Sequence, residues 1–313
     1  MKTEYKNNRL RAGSRNRWKY RNEKYIYLML AIPIIGFLVF TLYPMLWAIR
    51  LSWFYYTGVP SETHYVGWAN FASVLKSKPF WQVFANTFLF AVMKMPIELT
   101  LALTIAVFVS GKRKGSGFFR TMYFMPYIIS VAIVGVVFSN MFGYFGIING
   151  LLVKLGILGE PLNWFAGKMS AMWMIVIASI WQTFGLNVLY FVSALNNVPR
   201  ELYESAKIDG AGSFKTFFKI TLPCIMPVMR TIIMLSMIGT FNTGDIILVT
   251  TGGAPSGKTF TSAAYLIRNF APGFSNVGAD IGYGSAMSLV FGLIVMVATL
   301  CYMRASDKSA NIY

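Results

Sequence analysis

Residues 252–259 read Gly-Gly-Ala-Pro-Ser-Gly-Lys-Thr and satisfy the phosphate-cradling pattern G-x-x-x-x-G-K-[ST] in full. In such a loop backbone N–H groups wrap a nucleotide's phosphates. Lys258 would reach the terminal phosphates, and Thr259 would hold a magnesium ion. "DIILV" ahead of the loop could be a strand and "TFTSAAYLIRNF" behind it a helix. Three arguments oppose a nucleotide site. The segment is too short for the parallel sheet that positions such a loop. Only Asp245 and Asp280 flank it, so no second acidic strand end can hold the metal. The chain's charge distribution, taken up below, also places the loop outside the cell, where ATP is scarce.

Lys94 and Glu98 stand four residues apart beside Pro96 in an otherwise apolar stretch. An ionisable pair at membrane depth is costly and often functional. Two readings stay open: mutual neutralisation on an inward face, or a part in a solute path. His64 is the single histidine and has no Cys or further His nearby to complete a metal site. Cys224 and Cys301 fall near helix ends on the expected cytoplasmic side, where thiols stay reduced, and read as packing residues. Clustered His, Cys or carboxylates suited to catalysis are missing, so an enzyme embedded in the membrane is excluded. No catalytic, cofactor-binding or metal-ligating residue is assigned.

The elements that must position these groups follow from composition. Of 313 residues 56% are apolar and only 12% charged, about half the charge fraction of a soluble domain. Six runs reach the roughly 20 apolar residues needed to cross a bilayer: 25–47, 84–110, 118–142, 170–196, 222–244 and 283–303. Pro33, Pro44 and Pro96 within them are tolerable where neighbours satisfy the freed carbonyls. The fold class expected is all-α and polytopic, with six transmembrane helices between a basic tail at 1–24 and a short tail at 305–313. The net charge of +17 could suggest nucleic acid, but its placement argues otherwise. With both termini inside, nineteen Lys and Arg fall on the inner side and seven on the outer, as the positive-inside bias requires. The charge therefore records orientation and attraction to anionic membrane lipid, and nucleic acid is not a partner. The run after the basic tail is too long for a cleaved signal peptide. The longer connections, 48–83, 143–169 and 245–282, all lie on the outer side.

The inner side carries one long connection, 199–223, "PRELYESAKIDGAGSFKTFFKITLP". Leu202, Ala206 and Ile208 give its first helical piece an apolar side. Gly210 and Gly212 break the helix, because glycine takes positive φ at no steric cost. Ser213 is then placed to cap a second helix in which Phe214, Phe217 and Phe218 fall at i, i+3 and i+4. This is an α-helical hairpin shaped to meet another protein.

The spacing of Glu204, Ala206, Gly210, Ile220, Leu222 and Pro223 resembles the cytoplasmic motif of the permease subunits of binding-protein-dependent ABC importers. Within that family it resembles the carbohydrate group, which includes the maltose and glycerol-phosphate permeases. Ser205 stands where the family motif has its middle alanine, a small-for-small change. "VGWANF", "FWQVFANT", "FFRTMYFMP", "GIINGLL", "WQTFGLNVLYFVSAL" and "LVTTGGAP" resemble further family blocks and extend the likeness over nearly the whole chain past the tail. The last block also accounts for the nucleotide-like pattern. The maltose permease has extra amino-terminal spans and a large inserted outer domain, and by this resemblance the chain is expected to be similar to the shorter six-span form.

The resemblance implies a permease subunit of an ATP-driven sugar importer in a bacterial cytoplasmic membrane, with both termini cytoplasmic. Its partners would be a second permease subunit, two ATPase subunits that carry the ATP and magnesium, and an extracytoplasmic sugar-binding protein. Glu204, Ser205, Ala206, Asp209, Gly210, Ala211, Ile220, Leu222 and Pro223 would form the segment that couples to the ATPase. For the solute path, Ser236, Gly239, Thr240 and Thr243 fall at i, i+3, i+4 and i+7 of span five. Thr183, Leu186, Asn187 and Tyr190 repeat the geometry in span four. Hydroxyls and amides suit a sugar, and Tyr190 and Phe241 could stack on its ring. Ordinary helix packing through small and hydroxyl residues is the competing account of both faces. A permease of the same type for a glycerophosphodiester is the alternative function.

Overall fold

The computed structural model describes residues 25–110, 115–271, 273–275 and 278–310. The basic tail, Lys112, Arg113, Lys114 and the final three residues lie outside them.

Five helices are long and apolar enough to cross a membrane. They are α1 (Tyr25–Leu51), α3 (Lys78–Val109), α7 (Lys168–Asn196), α9 (Ser213–Phe241) and α12 (Ile281–Ala310). The third expected span differs from the reading above. It is split into α4 (Ser116–Ile128) and α5 (Val131–Met141), bent by 90° at the break. Ile129 and Ser130 are extended there, which leaves backbone carbonyls without helical partners. Gln182 on α7 donates through Nε2 to the Ile129 carbonyl at 3.2 Å, the kind of internal partner that broken backbone in a bilayer requires. The pair makes a sixth span if counted as one, and five spans stand without it.

Prolines shape α1 and α9. Each contains one π-helical turn, Leu38–Leu42 and Phe217–Thr221, ending two residues before Pro44 and Pro223 respectively. A proline ring clashes with the carbonyl four residues back and offers no N–H, so the turn ahead of it widens. Pro96 lies inside the continuous α3.

Short elements fill the connections. A two-residue hairpin pairs β1 (Phe54–Tyr55) with β2 (His64–Tyr65) and is followed by α2 (Ala69–Lys76). Then come α6 (Ile147–Lys154), α8 (Arg200–Ile208), α10 (Asp245–Thr250) and α11 (Ser262–Phe270). The centre of the bundle is α7. Its residues Met172, Ile175 and Ala178 pack with Phe90 of α3, Val134 of α5 and Ile247 of α10. Val188, Phe191 and Leu195 nearer its other end pack with Ala102 and Ala106 of α3 and Ile225 of α9. Gly185 lets α4 touch α7, because a methyl there would overlap the Tyr123 backbone carbonyl. Asp280 Oδ1 accepts from the N–H groups of Tyr56 and Tyr283, which ties the start of α12 to the loop after α1.

Candidate functional site

Residues singled out on α3, α7 and α9 meet in one buried polar network. Lys94 Nζ lies 3.2 Å from Glu98 Oε2, with both side chains shielded from solvent. Glu98 Oε1 accepts from Thr183 Oγ1 at 2.6 Å and from Asn187 Nδ2 at 3.0 Å. Lys94 also donates to Thr240 Oγ1 at 3.4 Å. The charges neutralise each other, and three polar groups of two neighbouring helices add hydrogen bonds to the pair, as an ion pair out of water demands. Glu98 Oε2 faces the Lys94 charge with no hydrogen-bond partner of its own. Thr183, Asn187 and Thr240 are therefore engaged with the pair.

Beside this network a cleft of 180 Å³ opens between α7, the end of α9 and the start of α10. Thr183, Gly239 and Thr243 line it together with Gln182, Asn242 and Asp245, which are not among the residues expected along the solute path. Thr183 thus faces both the ion pair and the cleft. Gly239 has open space where a Cβ would sit. Thr243 does not continue the helical face expected of it, because α9 ends at Phe241 and Thr243 lies in the following turn. The polarity of Asn242 and Asp245 reads as ordinary loop composition until the helix end fixes where they sit.

The remaining expectations divide. The Ser236 hydroxyl is buried without a hydrogen-bond partner. Tyr190 is 38% exposed and takes no part in the network. Phe241 is not available to stack on a ligand: it is 9% exposed and packs with Phe80, Ala286 and Met287 in the cluster between α2, α3 and α12.

The hairpin after α7 forms with changes. α8 ends in a Schellman closure: Gly210 N–H donates to Lys207 O and Ala211 N–H to Ala206 O, with Gly210 at φ +68°. Gly212 is extended at φ −68° and needs no glycine freedom. It is Gly212, not Ser213, that precedes the next helix, and no side chain caps that helix. The expected second short helix is the beginning of α9, continuous through the π turn into the span. Ala206 is buried, whereas Glu204, Ser205, Asp209 and Gly210 are exposed. Ala211, Ile220 and Leu222 are half-buried, and Pro223 is exposed. Ile208, expected on the apolar side, points outward at 86% exposure, and Phe214 across the turn is 79% exposed.

The nucleotide-like loop is occupied by its own groups. "DIILV" is the helix α10 and not a strand. Thr259 is fully buried, with its hydroxyl donating to Ala254 O at 2.8 Å. Asn86 of α3 clamps the loop backbone by donating to the carbonyls of Lys258 and Phe260. His64 is exposed, stacks on Tyr55 and has its Nδ1 3.0 Å from Glu62 O. Among the described residues no group of three or more His, Cys, Asp or Glu is placed to hold a metal.

The whole chain can now be set beside known proteins. Residues 12–308 match the family described as "Binding-protein-dependent transport system inner membrane component". The lactose transport system permease protein of Rhizobium radiobacter is 34% identical over 90% of this chain and 92% of its own length. The trehalose/maltose transport system permease protein of Thermococcus litoralis is 33% identical over 91% and 95%. An arabinooligosaccharides transport system permease protein of Bacillus subtilis is 30% identical over 95% and 94%. A chain of a bacterial ABC transporter that imports alginate superimposes with a TM-score of 0.78 at 20% identity over 93% of this chain and 98% of its own, a likeness of fold. Multi-pass, helical and matched almost end to end, the chain belongs to the family of inner-membrane permease components of binding-protein-dependent sugar transport systems.

Proposed function

We propose that this chain forms half of the translocation path of an ATP-driven oligosaccharide importer and is driven through the α8 hairpin by a separate ATPase. The observation that carries the reading is the outward face of that hairpin. Glu204, Ile208 and Phe214 stand exposed around the Gly210 turn, while α8 is held on its other side by buried Ala206. An exposed apolar pair beside a carboxylate, on a hairpin joined to the bundle through α9, suits a partner's cleft. Movement of α8 would then pass directly into α9, because Gly210 closes a defined turn and not a flexible linker.

The 180 Å³ cleft is below the 300–1,000 Å³ typical of ligand sites. A second permease subunit facing α7 and α9 would complete it, and the unpaired Ser236 hydroxyl supports a polar lining. ATP and magnesium belong on the ATPase, the sugar-binding protein on the outer side, and the termini on the inner side. The relatives named for lactose, maltose and arabinooligosaccharides favour uncharged sugar. A relative named for sn-glycerol-3-phosphate, a phosphomonoester, is 30% identical and keeps a glycerol-phosphate type of solute as the second reading.

The test is Gly210→Pro. Proline cannot adopt φ +68° and removes the N–H bonded to Lys207, so the turn must open. The expected result is a normally inserted protein whose complex hydrolyses ATP without importing sugar. Wild-type uptake in that variant would overturn the coupling role.

A further inference from the structure

A second cavity lies away from the proposed solute cleft, beside α8. It measures 490 Å³ and sits among the ends of α3 and α7, the inner face of α8 and the start of α9. Two cations, Arg200 and Lys207, line it, and no carboxylate does. Neither cation has an ion-pair partner among the described residues. Tyr203 lines it as well and accepts a hydrogen bond from Thr221 Oγ1 at 3.1 Å, which leaves its own proton free to donate. Ser213 adds a hydroxyl at the first residue of the long helix α9, where the backbone N–H groups have no side-chain cap. Other hydroxyls are already committed: Ser110 donates to Val107 O and Thr216 to Gly212 O. Val107, Leu195 and Phe217 add an apolar part to the lining.

Arg200, Tyr203 and Lys207 are spaced i, i+3 and i+7 on α8 and line the cavity together. Glu204 is their neighbour on the helix surface but forms no ion pair with either cation and does not line the cavity. Two unpaired cations, two free hydroxyl donors and an apolar wall at helix ends fit one chemical class, a phosphate carried on an apolar tail.

We infer that this cavity binds the headgroup of an anionic phospholipid, with the phosphate held by Arg200, Lys207 and the Tyr203 hydroxyl. Cations between spans at a membrane face attract such lipids. Occupancy would brace α8 against α3 and α7. The inference stands beside the importer reading and does not depend on it.

The test measures lipid retention on the complex purified with its partner subunits, in nanodiscs of phosphatidylcholine with a minority of phosphatidylglycerol. Native mass spectrometry counts the phosphatidylglycerol kept. Arg200→Gln with Lys207→Gln should lose it, at roughly fivefold weaker binding for each cation removed. Lys215→Gln with Lys219→Gln removes equal charge from the same hairpin outside the cavity and should keep the lipid. Arg200→Lys with Lys207→Arg should keep it too, which separates lost charge from misfolding. Equal retention in every variant overturns the site, and equal loss in the Lys215 and Lys219 pair replaces it with a diffuse surface potential. Displacement of the lipid by millimolar inorganic phosphate would overturn the headgroup assignment in favour of a free anion. Failure of the importer reading would abolish uptake in every lipid and leave the retention result standing.

Discussion

Glu98 holds three partners at once: the ammonium of Lys94, the hydroxyl of Thr183 and the amide of Asn187. Sequence alone offers Thr183 and Asn187 as groups for a solute path, because polar groups on a membrane helix must face inward. They do face inward, but toward the ion pair of α3. Removing one charge leaves the other stranded. Lys94→Met or Glu98→Met alone is expected to cost about 3–5 kcal/mol, and the double substitution should recover most of that loss. Thermal unfolding of the purified complex as a double-mutant cycle checks this, and additive losses would show that the pair is not coupled. Filling the cleft needs a different position. Thr240 is fully buried against the network, so a bulky residue there would disturb packing. Gly239 lines the cleft with free space for a side chain. Gly239→Trp should therefore abolish uptake while the protein inserts and folds normally, as read by transport assay beside membrane abundance.

Helices show where local sequence is a weak guide. Pro126 lies near the end of α4 and Pro96 inside the unbroken α3. Proline alone did not decide which span breaks. Gln182 supplies the missing partner at Ile129, and α5 then packs its Val134 and Phe138 beside Ile246 and Ile247 of α10. Contact between α4 and α7 depends on Gly185, whose missing side chain admits the Tyr123 carbonyl. Gly185→Ala should lower stability by about 1–3 kcal/mol through overpacking. Gly239→Ala, with open space around it, should change stability little. A calorimetric comparison of the two distinguishes close helix approach from a general cost of replacing glycine.

For the molecule as a whole, the cleft between α7 and α9 is too small to enclose an oligosaccharide. Uptake is accordingly expected only when this chain is expressed with a second permease, the ATPase and a binding protein. Labelled oligosaccharides offered to that complex should be taken up, and a glycerophosphodiester should not. Uptake by this chain alone would contradict the half-path. By itself the sequence determined that the chain lies in a membrane, where its long apolar segments run and which segment forms the hairpin. Lipid imposes a minimum apolar length, and glycine at Gly210 meets a backbone requirement few residues can meet. Tertiary structure alone decided that Phe241 is core, that Thr243 lies beyond the helix, that Thr183, Asn187 and Thr240 serve Lys94 and Glu98, and that one span is split. In helices apolar on nearly every side, hydropathy cannot say which face meets lipid and which meets a neighbour. That choice is made only when backbones from distant parts of the chain approach closely enough to share hydrogen bonds.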